Sequence, residues 1–414
     1  MKKVAITSFA GVVFLSFMLF LVGCGGASKT NEIQPPEVSP LPADSTVTLE
    51  QVDAPDANAE GKLYLGDTTT GQIFEVKTDP DSWLSGYQWI SPNQLIVAGY
   101  YHDFFLLDLT AKTLHRLPDV PGTSSVSFSH SGEFMAVIGP NNDLMIWSVM
   151  DGKQVSDIST GLIGYSLWSP DDTRIFWPGL PSGVATTGAQ PVNVSIDTGT
   201  GALSARWSKD AKSIVFSDTD GFYSTDATTG VKTKLYAWPA GTTLLPDTPK
   251  LSPDGKYALV SARDATGNGF RALIVPLDGS GKGVQITGVW PADVEWSSTE
   301  DVVAAVADWC QPTTHLLLVN ADGTTRSTIE GATQIPSFSN DGTQIAYVGP
   351  DPESGTNEGL IVRSATGVST ATFFPGVLRD DVWSPDARWI AYTPGPASYQ
   401  CMDTSGTTQV LPFP

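Results

Sequence analysis

The side chains able to do chemistry are few and scattered. The chain holds four histidines (His102, His115, His130 and His315) and three cysteines (Cys24, Cys310 and Cys401). No His-Glu-x-x-His or Cys-x-x-Cys spacing assembles metal ligands. No Gly-x-Ser-x-Gly elbow exposes a nucleophile, and no glycine-rich loop ends in Lys to cradle phosphate. The sequence therefore singles out no catalytic residue, no metal site and no cofactor. What it does offer is aromatic, basic and acidic residues gathered in short polar segments. These are Tyr100-Tyr101-His102-Asp103, Arg263-Asp264, Trp290, Asp308-Trp309 and Arg379-Asp380-Asp381. Trp, Tyr and Arg are the usual anchors of interfaces. Acids beside them suit a basic peptide or protein, or a cation. His102 is the histidine that lies in such a segment. Asp171, Asp254, Asp341 and Asp386 invite a metal reading too, but they recur at one position of a repeated turn, which already accounts for them.

Composition bounds what these residues can serve. The 414 residues include 44 acidic and 23 basic side chains, a net charge of −21. Such a chain has no basic footprint for nucleic acid and no attraction to an anionic lipid surface. Forty glycines and thirty prolines imply many short elements joined by tight turns, which favours strands over helices.

A repeat supplies those elements. A large apolar residue, then Ser, then a turn recurs with the serines at 91, 129, 169, 208, 252, 297, 339 and 384, about 42 residues apart. Leu251-Ser252-Pro253-Asp254-Gly255 and Trp383-Ser384-Pro385-Asp386-Ala387 are good examples. Pro presets φ for the turn, Asp suits its next position, and Gly accepts a positive φ. A β-rich run follows each turn, and further runs give four strands per repeat, the signature of a β-propeller blade. The motif resembles the TolB-like (PD40, WD40-like) propeller repeat. That resemblance covers residues 59–414 and implies an all-β propeller of four-stranded antiparallel blades. Eight units fit after Trp83, with seven the alternative. A hairpin at 63–65 and 72–76 is expected beside the ring closure, and Tyr399–Met402 as the third strand of the last repeat.

The N-terminus reads differently. Lys2 and Lys3 precede an apolar run from Val4 to Val22 that ends Leu21-Val22-Gly23-Cys24. This stretch resembles a bacterial lipoprotein signal. The resemblance implies removal of residues 1–23, lipidation of Cys24 and a location outside the cytoplasm. An uncleaved membrane span is the alternative. Residues 24–58, rich in Pro, Ser, Thr and acids, read as a disordered linker. Cys310 and Cys401 are then left in an oxidising compartment. A disulfide between them needs Cα atoms within ~7 Å, and repeats six and eight are not neighbours in an eight-membered ring. Two buried free thiols are the other outcome.

Taken together, the expected function is a lipid-anchored module of the bacterial cell envelope that binds a protein, peptide or other ligand without catalysis. The alternative is a propeller enzyme (a lyase, lactonase or glycoside-acting enzyme) working through carboxylates at the channel mouth, with or without Ca²⁺.

Overall fold

The computed structural model describes residues 44–55, 61–79, 82–99, 103–118, 125–139, 143–159, 162–163, 165–180, 182–187, 193–196, 204–218, 220–238, 250–263, 270–280, 283–307, 314–355, 358–366, 371–376, 378–394 and 409–413. Among these residues the regular structure is entirely strand. Apart from a short two-stranded ladder of Leu162–Ile163 with Gly179–Leu180 and two added strands described below, the strands fall into antiparallel units of four, the first seven running outward in chain order. Sheet 1 holds Leu84–Ser91, Gln94–Gly99, Phe104–Asp108 and Thr113–Arg116, and sheet 2 holds Ser125–Phe128, Phe134–Ile138, Asp143–Ser148 and Lys153–Ser159. Sheet 3 comprises Leu167–Trp168, Arg174–Trp177, Ser182–Thr186 and Asn193–Ile196; sheet 4 comprises Ser204–Trp207, Ser213–Asp218, Gly221–Asp226 and Lys232–Ala237. Lys250–Leu251, Tyr257–Arg263, Phe270–Pro276 and Gly283–Thr287 make sheet 5. Val289–Trp296, Val302–Ala307, His315–Asn320 and Thr325–Glu330 make sheet 6. Sheet 7 is Gln334–Phe338, Gln344–Pro350, Glu358–Ser364 and Thr372–Pro375.

Sheet 8 draws on both ends of the chain. Leu378–Trp383 and Trp389–Pro394 pair with each other, and the N-terminal strands Tyr64–Asp67 and Ile73–Thr78 complete the unit. The hairpin thus sits inside the closing sheet rather than beside it, and it fills the third and fourth places of the last repeat. Tyr399–Met402, expected in the third place, lies outside the described residues.

The apolar core is divided among the gaps between sheets. Each buried cluster is shared by two consecutive sheets. Ile274 and Ile286 of sheet 5, for example, pack with Trp296 and Val303 of sheet 6. The series returns on itself, because Leu63, Leu65 and Ala391 of sheet 8 pack with Leu84, Trp89 and Leu95 of sheet 1. Sheets hiding their flat faces on both neighbours in a closed ring make a β-propeller.

One part of the expected linker is structured. Asp44–Val52 is a strand, pairing with Ile73–Thr78 of sheet 8 and with Thr113–Arg116 of sheet 1, so it straps the outer edges of the two sheets at the closure. Its sequence, Asp-Ser-Thr-Val-Thr-Leu-Glu-Gln-Val, alternates Val47 and Leu49 with Thr48 and Glu50. Val47 is buried, and Leu49 packs on the cluster between sheets 8 and 1. That period of two is a strand signal, overshadowed by the prolines on either side.

The repeated turn explains its own residues. The Ser hydroxyl donates to the Asp two positions on, at 2.6 Å in Ser169–Asp171, Ser339–Asp341 and Ser384–Asp386. The same oxygen accepts the N–H five positions on, such as Gln344 N–H at 3.0 Å. The carboxylate also caps a backbone N–H, as Asp341 does for Thr343 at 3.0 Å. The position after the Asp takes a positive φ whether it is Gly255 (73°), Gly342 (70°), Ala211 (58°) or Ala387 (60°). At Gly255 a Cβ would meet nothing, whereas at Gly342 it would strike the Thr299 side chain of sheet 6. Gly255→Ala should therefore cost only the left-handed backbone penalty, about 1 kcal/mol. Gly342→Ala should cost measurably more, and Thr299→Ala in the same chain should recover the excess. Urea unfolding of the three variants checks this.

The anchoring tryptophans also have a polar duty. Trp168 Nε1–H donates to the Ser127 carbonyl at 3.2 Å, Trp207 to Leu167 at 2.9 Å, Trp296 to Lys250 at 2.9 Å, and Trp89 to Val382 at 3.0 Å. Trp383 donates to Ser337 Oγ at 3.1 Å. In every case the acceptor belongs to the residue just before the anchor of the preceding sheet. Each indole therefore both fills the gap and stitches two innermost strands together.

Candidate functional site

In this topology the Ser-Asp turns and the hairpins between third and fourth strands share one face of the ring. The links between second and third strands, and between sheets, share the other, here called the connector face. Of the segments singled out in the sequence, the described residues lie at the connector face. Tyr100, Tyr101, His102, Asp264, Asp308, Trp309 and both Cys310 and Cys401 lie outside the described residues, as does Cys24. Arg263, Trp290, Arg379, Asp380 and Asp381 are described for backbone only. Arg263 ends the second strand of sheet 5, paired with Phe270. Trp290 lies in the innermost strand of sheet 6, and Arg379, Asp380 and Asp381 lie in that of sheet 8. The sequence reads them as parts of short polar segments rather than of strands. These strands begin earlier than their anchors suggest, because irregular pairing between Val289 and Val294 and between Arg379 and Val382 absorbs extra residues. Trp290 and Arg379-Asp380-Asp381 thus sit where innermost strands meet the connector face, and Arg263 ends a second strand at that same face.

Asp103 is the candidate with a described side chain. Its carboxylate accepts a hydrogen bond from Arg116 Nη2 at 2.8 Å, and its carbonyl accepts Gly99 N–H at 2.7 Å. Both partners are in sheet 1, so Asp103 is fixed just before the third strand of that sheet. Other connector-face acids are held in the same way. Asp220 accepts from Lys234 at 2.7 Å and from the Tyr223 hydroxyl at 2.8 Å. Lys232 lies 3.5 Å from Asp218 and 4.2 Å above the Tyr223 ring. Trp238 donates to the Asp218 carbonyl at 3.1 Å and packs on Phe222 and Tyr236. Asp351 caps Glu353 N–H and accepts from Ser354.

The turn face carries contacts that the sequence did not announce. Asp172 of sheet 3 accepts His130 N–H, Ser131 N–H and His130 Nδ1, each at 2.8 Å, and so clasps the turn of sheet 2. Burial opposes its ionisation, but the N–H groups of Ser131 and His130 outweigh it and hold its carboxyl below the usual range. A cleft of about 390 Å³ between sheets 6 and 7 is lined by Thr299, Arg326, Phe338, Asp341, Ser364 and Thr366, among others, with Arg326 paired to Glu300. Among the described residues no three His, Cys, Asp or Glu side chains gather as a metal-binding group. No described helix is long and apolar enough to cross a membrane.

Asp254 and Asp301, from the turns of sheets 5 and 6, are an unequal pair. Asp254 is opposed by burial, but the side chain and N–H of Lys256 together with the Ser252 hydroxyl pull it down to about 2. Asp301 is pushed up by burial and by the charge of Asp254, and its Oδ1 has no hydrogen-bond partner. An ordinary Asp titrates near 3.9. A carboxyl raised above that value subtracts stability once it ionises, and the penalty fades as pH falls through the raised value. Asp301→Asn should therefore raise Tm slightly at pH 7. The gain should shrink toward pH 4; thermal melts across that range check it.

No family model matches this chain. A "Coronin-like protein" of Saccharomyces cerevisiae is 28% identical over 127 residues, which is 31% of this chain and 17% of that protein. Among solved structures, the Cps50 (Swd1) β-propeller domain of Myceliophteria thermophila is 16% identical, with 68% of this chain and 96% of that one covered and a TM-score of 0.43. A putative TolB from Agrobacterium tumefaciens is 16% identical, with coverage of 81% and 98% and a TM-score of 0.39. These likenesses are of fold alone. By its own ring of sheets, closed between its N-terminal hairpin and its last repeat, the chain is a β-propeller.

Proposed function

We propose that this propeller is a lipid-anchored, extracytoplasmic binding module of a bacterial cell envelope, holding a protein or peptide partner on its connector face without catalysing a reaction. One observation carries the binding half. The backbone brings Arg263, Trp290 and Arg379-Asp380-Asp381 to the same face of one ring, though more than 100 residues separate the first from the last. The net charge of −21 favours a basic partner through steering and complementarity. The anchoring half rests on the sequence: residues 1–23 are the signal and Cys24 is the acylated residue. The strand at Asp44 shortens the linker of 24–58, leaving about 20 residues between Cys24 and the ring. As a flexible coil such a length spans roughly 25 Å.

Two measurements test the two halves separately. Metabolic labelling with a fatty-acid analogue should mark the wild-type chain, and Cys24→Ala should lose the label and leave the membrane fraction. Retention of label in that variant overturns the anchor. Titration with Lys/Arg-rich and Asp/Glu-rich peptides should show salt-sensitive binding of the basic set, reduced at least fivefold by Asp380→Asn with Asp381→Asn. Equal binding of both sets, or no effect of the two substitutions, overturns the surface.

A further inference from the structure

The outermost strand of sheet 5 carries a fifth strand. Gln409–Phe413 pairs antiparallel along all of Gly283–Thr287, from Gly283 opposite Phe413 to Thr287 opposite Gln409. This strand is foreign to sheet 5 in sequence and in space. The last described residue before it, Pro394, belongs to sheet 8, three sheets away round the ring, and residues 395–408 lie between.

The edge it covers differs from most of the others. Outermost strands ordinarily carry charge or proline to discourage pairing with further chains. Sheet 2 has Lys153 and Asp157 there, sheet 4 Lys232 and Lys234, sheet 6 Arg326 and Glu330, and sheet 7 Pro375. Gly-Val-Gln-Ile-Thr at 283–287 has neither; Asn193–Ile196 of sheet 3 also lacks them but is only four residues long. Val284 and Ile286 are buried toward sheet 6, so the strand is held rigidly while its outer N–H and C=O groups face the added strand. The guest brings what the host edge lacks. Pro412 lacks an N–H, which makes the added strand a poorer template for a further one.

We propose that the outer edge of sheet 5 is a strand-acceptor site for an extended, uncharged peptide of a partner protein, with the C-terminal strand as its built-in occupant. The main chain supplies the affinity, as in other recognition by strand addition. The peptide should match Gln-Val-Leu-Pro-Phe in having no charge, bulky apolar residues and a proline near its end. Tethering gives the built-in strand an effective concentration in the millimolar range, so it excludes a free peptide until it is released.

The test uses the full chain with Val410→Pro and Leu411→Pro together. Of two neighbouring residues in a strand, one directs its N–H toward sheet 5, so the pair of prolines removes that bond. The probe is a labelled peptide of residues 408–414, with a second peptide bearing Asp at 410 and 411 as control. The probe should bind the variant at least tenfold more tightly than it binds the wild type, and the control should bind neither. Amides of 283–287 should exchange faster in the variant and regain protection when the probe is added. The unfolding midpoint and circular dichroism of the variant establish that the ring is intact. A folded variant that binds the probe no better than wild type, or whose 283–287 amides exchange as before, overturns the proposal.

Discussion

A chain that begins at residue 79 should fail to unfold cooperatively and should aggregate. It lacks Tyr64–Asp67 and Ile73–Thr78, half of the sheet that closes the ring. Leu63, Tyr64, Leu65, Ile73 and Val76 are all at most 5% exposed, and burying each is worth about 1.5–3 kcal/mol. Their loss is on the order of 10 kcal/mol, which matches the whole stability of a typical domain. It also bares the edge of Trp389–Pro394 and both flanking clusters, a template for pairing with other chains. A chain beginning at residue 53 loses only the strap and should remain folded, weaker by about 1–3 kcal/mol for Val47 and its ladder. Leu65→Asp in the full chain tests the seam without a deletion, since it buries an unpaired charge. Urea unfolding, with light scattering for the shortest chain, reads all three. A cooperative transition of near-normal midpoint in the chain starting at 79 would show that the ring closes some other way.

The second large effect belongs to the anchoring tryptophans. Trp207→Phe keeps a ring in the gap between sheets 3 and 4 but removes the donor to the half-buried Leu167 carbonyl. An unsatisfied acceptor costs about 1–3 kcal/mol when fully buried. Trp207→Ala adds a cavity, and the total should reach about 3–5 kcal/mol. Trp207 also lies under the Arg174 guanidinium, 5.2 Å from its ring centre, so part of that loss is a cation–π contact. The same pair of changes at Trp296, on the far side of sheets 4 and 5, should add to the first within about 0.5 kcal/mol, because the two sites share no partner. If Trp207→Phe proved neutral, the anchor would be a space-filler only, and the choice of Trp over Phe at these positions would need another cause. Unfolding midpoints decide it.

This second case shows how the sequence is legible and where it stops. The recurrence of Trp-Ser-Pro-Asp announces a turn and a large buried side chain, and both are found. The recurrence does not announce the indole N–H bond, because its acceptor lies in the preceding sheet, some 40 residues back for Trp207 and at the far end of the chain for Trp89, brought near only by stacking. Ser in the motif reads as a turn residue. Its second bond, to the strand five positions on, appears only once the hairpin is formed. Asp44–Val52 was hidden for a related reason: a single amphipathic strand has no meaning until there are two open edges for it to cover. At the connector face, Asp103 reads as an exposed acid, yet Arg116 claims it, an exchange that depends on how the strands of sheet 1 align.

The local chemistry of the chain therefore settled the all-strand architecture, its fourfold grouping and the turns that punctuate it. Propensity, alternation and left-handed turn positions act over a few residues and need no partner to be recognised. Closure decided the rest. Which strands complete sheet 8, which edge accepts the C-terminal strand and which acids stay available all depend on contacts between residues far apart in the chain. Main-chain hydrogen bonding is blind to side-chain identity, so an open edge is filled by whichever strand the ring geometry delivers to it.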